Sequence, residues 1–179
     1  GLCEKGGLGL GMRHCCNSAA IVNFPEMHLD AVRAGILLYG LSPNPGVTDA
    51  AGLLPCMTLK ANVVQLSHIR KGDTVSYGAA FVSDRDMTVA TLSVGYADGL
   101  FRALSGKADV VIRGKKAKMV GKICMDMCMA DVSDIDCEVG DEAVIFGDGQ
   151  SADRLAELAG TINYEILCSV RNRVSRRYI

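Results

Sequence analysis

Hydrophobic and polar positions follow two different patterns along this chain. Up to about residue 41 the apolar residues come in blocks. A glycine-rich lead-in (Gly6-Gly7-Leu8-Gly9-Leu10-Gly11) precedes an apolar stretch from Cys15 to Val22. A helix-like turn follows Asn23-Phe24-Pro25-Glu26, and a second apolar stretch runs from Val32 to Leu41. Blocks of this kind predict βα units. Further on the stretches are short, rich in β-branched residues and separated by turn formers. They predict strands over 59–69, 74–82, 87–94, 108–112, 117–120, 125–132 and 143–146, hence an all-β domain. Arg70-Lys71-Gly72-Asp73, Arg113-Gly114-Lys115 and Gly147-Asp148-Gly149 are the expected turns, since Gly tolerates positive φ and Asp bonds its own backbone. Near the end, Ser151 can cap a short helix carrying Leu155 and Leu158 on one face and closed by Gly160. A second helix should begin near Thr161 or Asn163. Between the regimes, Ser42-Pro43-Asn44-Pro45-Gly46 and Thr48-Asp49-Ala50-Ala51-Gly52 collect turn formers, which puts the expected join near residue 50 and the domains at 1–50 and 51–179.

Composition narrows the function classes. Of 179 residues, 49% are hydrophobic and 22% charged, and 19 basic against 20 acidic side chains leave a net charge of −1. That balance suits a soluble globular protein. With no Trp, four Phe and five Tyr, the chain lacks the basic, aromatic-studded surface that grips phosphate backbones and stacks bases, so nucleic acid is not an expected partner. Eight Cys show neither a secreted-domain spacing nor a CxxC pair and read as reduced thiols of a cytoplasmic compartment. The longest apolar runs, such as Ile36-Leu37-Leu38-Tyr39, fall far short of the about 20 residues a membrane helix needs. No signal-peptide pattern opens the chain, and its start at Gly1 inside a glycine-rich run reads as a fragment of something longer.

Candidate chemistry is weak motif by motif. Three tyrosines stand beside glycines: Tyr39-Gly40, Tyr77-Gly78 and Gly95-Tyr96-Ala97-Asp98-Gly99. Each alone reads as a half-buried phenol at a hairpin end. Asn17-Ser18-Ala19-Ala20 and Val32-Arg33-Ala34-Gly35-Ile36 combine small residues, a hydroxyl and backbone N–H groups in a way that lets a phosphate approach the main chain, although a lone Ser-Ala-Ala also reads as a packed turn. No GxGxxG or Walker motif accompanies them. Cys124-Met125-Asp126-Met127-Cys128 offers a single CxxxC. The alternation of Met125, Met127 and Met129 fits one face of a core strand better than a metal or redox site. His14-Cys15-Cys16 has no second ligand pair at metal spacing, so no metal is expected.

Taken in order, the pieces resemble the alanine racemase family of pyridoxal-phosphate enzymes. The stretches that carry the resemblance are His14-Cys15-Cys16-Asn17-Ser18-Ala19-Ala20, Asp30 through Gly40, Val75-Ser76-Tyr77-Gly78-Ala79, Val94-Gly95-Tyr96-Ala97-Asp98-Gly99, Val120 through Asp126, and Gly160 through Ile166 running on to Arg173-Val174-Ser175-Arg176. The resemblance implies the last βα units of a (β/α)8 barrel over residues 1 to about 50, followed by the family's mainly β C-terminal domain. It also implies a homodimer with its active site shared across the interface. The expected activity is interconversion of L- and D-alanine or L- and D-serine, supplying D-amino acids for cell-wall peptide. The lysine that anchors pyridoxal phosphate is expected outside these residues, so the chain alone should be inactive; Lys60 and Lys71 read as a strand and a turn lysine.

By the same resemblance Ser18, Gly35 and Ile36 meet the cofactor phosphate and Arg33 faces its ring nitrogen. A guanidinium donates but cannot accept, so that nitrogen would stay unprotonated. Tyr77 matches the catalytic tyrosine that works on the partner subunit's cofactor. Racemisation requires one group to remove the α-proton and another to return a proton on the opposite face. A phenol ordinarily titrates near 10, so such a role needs surroundings that favour phenolate. Tyr96 matches a tyrosine lining the substrate passage, Met125 offers its N–H to the substrate carboxylate, and Asp126 supports that loop.

The departures bear on substrate choice. Asn172 stands where the family usually has a Tyr beside the phosphate. It is smaller, and both donates and accepts, so it leaves room for a β-hydroxyl and predicts that serine is accepted. This replacement is similar to that of the membrane-anchored serine/alanine racemases of vancomycin resistance, which carry a separate N-terminal membrane domain; no such anchor lies in these residues. Ala34 and Ser175 replace the usual prolines. The alternative reading is a non-catalytic β-domain used for dimerisation or partner binding, and joint retention of Ser18, Arg33 and Tyr77 argues against it.

Overall fold

A computed structural model describes residues 2–9, 11–43 and 52–179. The chain divides into two compact units, Gly1–Met57 and Thr58–Ile179. The join expected near residue 50 lies outside the described residues.

The first unit contains two short helices, α1 (Leu2–Lys5) and α2 (Ser18–Asn23), and two 3-10 turns, Pro25–Met27 and Ile36–Tyr39. The side chain of Asn17 starts α2 by accepting the Ala20 N–H at 3.0 Å. Phe24 ends it, because a residue before proline is driven out of the helical region. Arg13 closes the 13–30 loop onto Asp30 with two side-chain bonds of 2.8 and 3.0 Å and a third from its own backbone N–H at 3.0 Å. Neither apolar stretch of this unit is a strand, contrary to the βα expectation: Cys15–Val22 enters a helix and Val32–Leu41 a 3-10 turn. A strand exists only against a pairing neighbour, and the described part of this unit has no second extended segment in register. Phe24, Met27, Leu29, Val32 and Leu38 remain exposed.

The second unit is the expected β-domain. Six antiparallel strands close into a barrel: β1 (Leu59–Ile69), β4 (Met87–Leu92), β5 (Asp109–Ile112), β6 (Lys115–Val120), β7 (Cys128–Asp131) and β8 (Glu142–Phe146), in the order β1-β4-β7-β6-β5-β8. Two further short strands, β2 (Thr74–Val75) and β3 (Phe81–Val82), form a separate hairpin. Closure is possible because the long β1 serves two neighbours. Leu59–Asn62 pairs with β8 and Val63–Ile69 with β4, with register shifts at Leu59/Lys60 and Val63/Gln65 that let the strand turn. Alternation then points Leu59, Ala61 and Val63 inward, where they join Leu92, Val110, Ile112, Met119 and Ile145. The β2–β3 hairpin lays Val75 and Phe81 against Met87, Val89, Val120 and Met129 of the barrel.

Two helices follow, α3 (Ala152–Ala159) and α4 (Asn163–Ser169). Ser151 caps α3 by accepting the Asp153 N–H, and Gly160 closes it at φ +74°. Two strand expectations need correction. The stretch 74–82 is broken by a 3-10 turn at Tyr77–Ala79, since Ser76, Gly78 and Ala79 adopt positive φ. The stretch 125–132 becomes extended only at Cys128, so Met125 and Met127 are exposed loop residues rather than one face of a core strand.

Candidate active-site elements

In the first unit, Ser18, Arg33, Gly35 and Ile36, four of the residues expected at the cofactor, lie on two neighbouring segments, the start of α2 and the loop 33–36. Ser18, buried at the start of α2, accepts the Gly35 N–H on its hydroxyl oxygen at 2.9 Å. That bond uses the hydroxyl oxygen as acceptor, and among the described residues the Ser18 O–H has no acceptor of its own. Ile36, also buried, opens the 3-10 turn beginning there, which leaves its N–H without an acceptor inside the turn. Arg33 donates its backbone N–H to the Cys16 carbonyl at 2.9 Å, so the loop 33–36 lies along the segment entering α2, and its guanidinium side is exposed. A hydroxyl and main-chain N–H groups suit a phosphate. A guanidinium that can only donate suits an aromatic nitrogen lone pair. The donor set therefore fits pyridoxal phosphate.

In the second unit, Tyr77, Met125 and Asp126 line one shallow cleft of about 400 Å³ together with Ser76, Cys124 and Met127. Tyr77 is 75% exposed at its rim. Its turn is pinned from behind: the Ser76 hydroxyl donates to the Lys122 carbonyl and accepts the Lys122 N–H, both at 3.0 Å. Gly121 makes this approach possible, because a Cβ there would lie 2.7 Å from that of Ser76 and the residue sits at φ +71°. On the Met125 loop the carbonyl accepts the Ala97 N–H at 3.0 Å, while among the described residues no acceptor meets the Met125 N–H.

Tyr96 lies on the turn that docks against the same loop. Its N–H reaches the Cys124 carbonyl at 3.0 Å, and the phenol side is half exposed. Gly95 permits the contact, since a Cβ there would stand 2.3 Å from the Met125 oxygen and 2.4 Å from that of Cys124. Asp98 closes the turn by accepting the Gly95 N–H at 2.9 Å. Arg173, the residue after Asn172, binds Asp98 through Nε at 2.8 Å and Asp126 through its terminal nitrogen. Asn172 itself is exposed. The Ser169 hydroxyl further ties the end of α4 to the Gly99 carbonyl at 2.8 Å. Gly95, Asp98, Ser76 and Arg173 carry no motif of their own; only their position inside matched stretches marked them.

Residues 56–178 match the alanine racemase C-terminal domain family and residues 1–43 the alanine racemase N-terminal domain family. The chain belongs to the alanine racemase family. It is 48% identical over 178 residues to the alanine racemase of Desulfovibrio desulfuricans, with 98% of this chain and 48% of the relative aligned. It is also 48% identical over 182 residues to alanine racemase 1 of Clostridium acetobutylicum, covering 98% and 47%. Among solved structures, the alanine racemase of Clostridium difficile in complex with cycloserine superposes with a TM-score of 0.92 at 40% identity, over 97% of this chain and 47% of that one. The alanine racemase of Streptomyces lavendulae, a D-cycloserine producer, gives 0.93 at 39% identity, over 99% and 48%. The chain thus spans about half the length of the racemases it matches. Among the described residues no helix is long and apolar enough to cross a membrane.

Proposed function

We propose that the protein carrying this chain is a pyridoxal-phosphate amino-acid racemase, in which the first unit completes the cofactor barrel and the second supplies acid–base and substrate-binding groups to a partner subunit. The observation that carries the reading is the exposed Tyr77 phenol on the cleft that Met125 also lines, the Met125 N–H meeting no acceptor among the described residues. The apolar side chains left exposed on the first unit support its place as one part of a larger barrel. Bound pyridoxal phosphate would acidify the Cα–H of an attached amino acid by delocalising its electrons.

This chain's residues do the rest. The Ser18 hydroxyl and the Ile36 N–H hold the phosphate, with Gly35 fixing the hydroxyl; Arg33 holds the ring nitrogen unprotonated. Tyr77 takes or returns the Cα proton on one face, and the cofactor-anchoring lysine expected outside this chain serves the other. Met125 binds the substrate carboxylate through its N–H, Asp126 steadies that loop, and Tyr96 lines the passage. Asn172 faces the substrate side chain, where its amide can bond a β-hydroxyl, so serine is turned over beside alanine. The activity belongs to the homodimer. The thiol pattern favours a cytoplasmic active domain, and a separate membrane tether in the full-length protein accompanies the serine reading.

The test uses the full-length protein. Wild type is expected to bind cofactor and racemise L-alanine. Tyr77→Phe should keep the cofactor absorbance and lose roughly 100-fold or more of turnover, as for loss of an acid–base group. Asn172→Tyr should lower serine relative to alanine. Absence of cofactor and turnover in the wild type would favour the non-catalytic dimerisation domain, and an unchanged serine-to-alanine ratio would remove the role of Asn172.

A further inference from the structure

We infer that Arg173 is a positioning residue that holds three substrate-side elements in one frame, an inference that rests on the racemase reading above. Three chain segments far apart in sequence meet at its guanidinium. Nε binds Asp98, which in turn holds the Gly95 N–H and so closes the turn bearing Tyr96. The terminal nitrogen binds Asp126, next to Met125. The backbone of Arg173 adjoins Asn172. A planar fork with donors on both sides can hold two carboxylates at once, whereas a lysine ammonium is a single point charge on a flexible stem.

The setting separates this pair from an ordinary surface ion pair. The Asp98 side chain is only 14% exposed, and its second oxygen is already engaged by backbone. Without the cation, Asp98 and Asp126 would also face each other as uncompensated like charges beside a loop that must receive a carboxylate. Arg173 therefore does two things: it fixes the distance between the Tyr96 turn and the Met125 loop, and it cancels negative charge where an anionic group is to bind. Arg173 touches no reacting atom, so its loss should weaken substrate binding more than turnover of bound substrate.

The experiment uses the full-length protein with Arg173→Ala, Arg173→Lys, Asp126→Asn and the double variant Arg173→Ala/Asp126→Asn. Arg173→Ala should raise KM for alanine roughly tenfold with kcat within about threefold, the signature of lost binding rather than lost active molecules. Lysine should recover only part of it. Asp126→Asn should cost less once Arg173 is gone than in the wild type, because the two share one interaction. Hydrogen exchange provides a second readout: amides 95–97, bonded to Asp98, Cys124 and Met125, should exchange faster in Arg173→Ala. An unmoved KM, additive effects in the double variant or unchanged exchange at 95–97 would overturn the inference. If the wild type proves to have no racemase activity, the reading of the activity fails, and exchange at 95–97 alone still decides whether Arg173 holds the frame.

Discussion

Replacing Gly95 by alanine tests the contact on which the second-unit site is built. The backbone of Gly95 is extended (φ −143°, ψ −165°), which any residue adopts. Alanine therefore brings no conformational strain, only a Cβ placed 2.3 Å from the Met125 oxygen and 2.4 Å from the Cys124 oxygen. Both obstacles are main-chain atoms that no rotamer change can clear, so the Tyr96 turn and the Met125 loop must separate. Separation breaks the Tyr96–Cys124 and Ala97–Met125 bonds, each 3.0 Å long. Those two bonds are worth about 1 kcal/mol each and the forced overlap about 1–3 kcal/mol, giving a total of about 3–5 kcal/mol. For a unit of about 120 residues this corresponds to a fall in Tm of roughly 10–20 °C. Scanning calorimetry of the wild-type chain and Gly95→Ala measures it. Gly106→Ala serves as the contrast: that glycine has φ +68° but nothing within 4 Å of a Cβ, so only the about 1–2 kcal/mol of left-handed backbone strain applies. If Gly95→Ala melts within a few degrees of wild type, or no lower than Gly106→Ala, the steric reasoning is wrong.

Two further predictions concern titration. The Arg13 side chain and backbone hold the Asp30 carboxyl down at about 2, against an ordinary 3.8. A lowered carboxylate stabilises the fold above its unfolded value and loses that contribution as pH falls, so the tie between Arg13 and Asp30 should weaken between about pH 4 and pH 2; a carbon-NMR midpoint for Asp30 at or above 3.8 would refute it. Burial in the barrel, with the nearby Cys124 adding to it, pushes the Cys128 thiol up to about 12. Iodoacetamide at pH 8.5 should therefore modify the exposed Cys56 and Cys168 while leaving Cys128 untouched until the domain unfolds, and peptide mass spectrometry that finds Cys128 labelled in the native chain would contradict this.

Much of the second unit was legible in the sequence because its signals are local. Alternation of the Leu59–Val63 kind, glycine and aspartate at turns, and Ser151 with Gly160 around α3 each act within a few residues, and each lies where the pattern put it. The family was legible too, through the order of motifs rather than any one of them. Two local readings failed where the deciding interaction is distant. Residues 74–82 and 125–132 have strand composition, yet Ser76 is drawn to Lys122, 46 residues on, and the Met125 loop is drawn to the Tyr96 turn through the Tyr96–Cys124 and Ala97–Met125 bonds, each of which spans about 28 residues of chain. Such bonds between segments outweigh a β-propensity that spans only about 1 kcal/mol. In the first unit, Cys15–Val22 and Val32–Leu41 read as strands, but a strand needs a partner in register, and there the Asn17 cap and the tight turn at Ile36 prevail. The sequence by itself determined which residues are candidates for chemistry: Ser18, Arg33, Tyr77, Met125 and Asn172 are recognisable by type and order. Only the tertiary structure decided that Ser18 meets Gly35, that Tyr77 shares a cleft with Met125, and that Arg173 joins Asp98 to Asp126. Those pairings depend on distances across the fold, and a linear pattern carries no information about distance beyond the reach of its own hydrogen bonds.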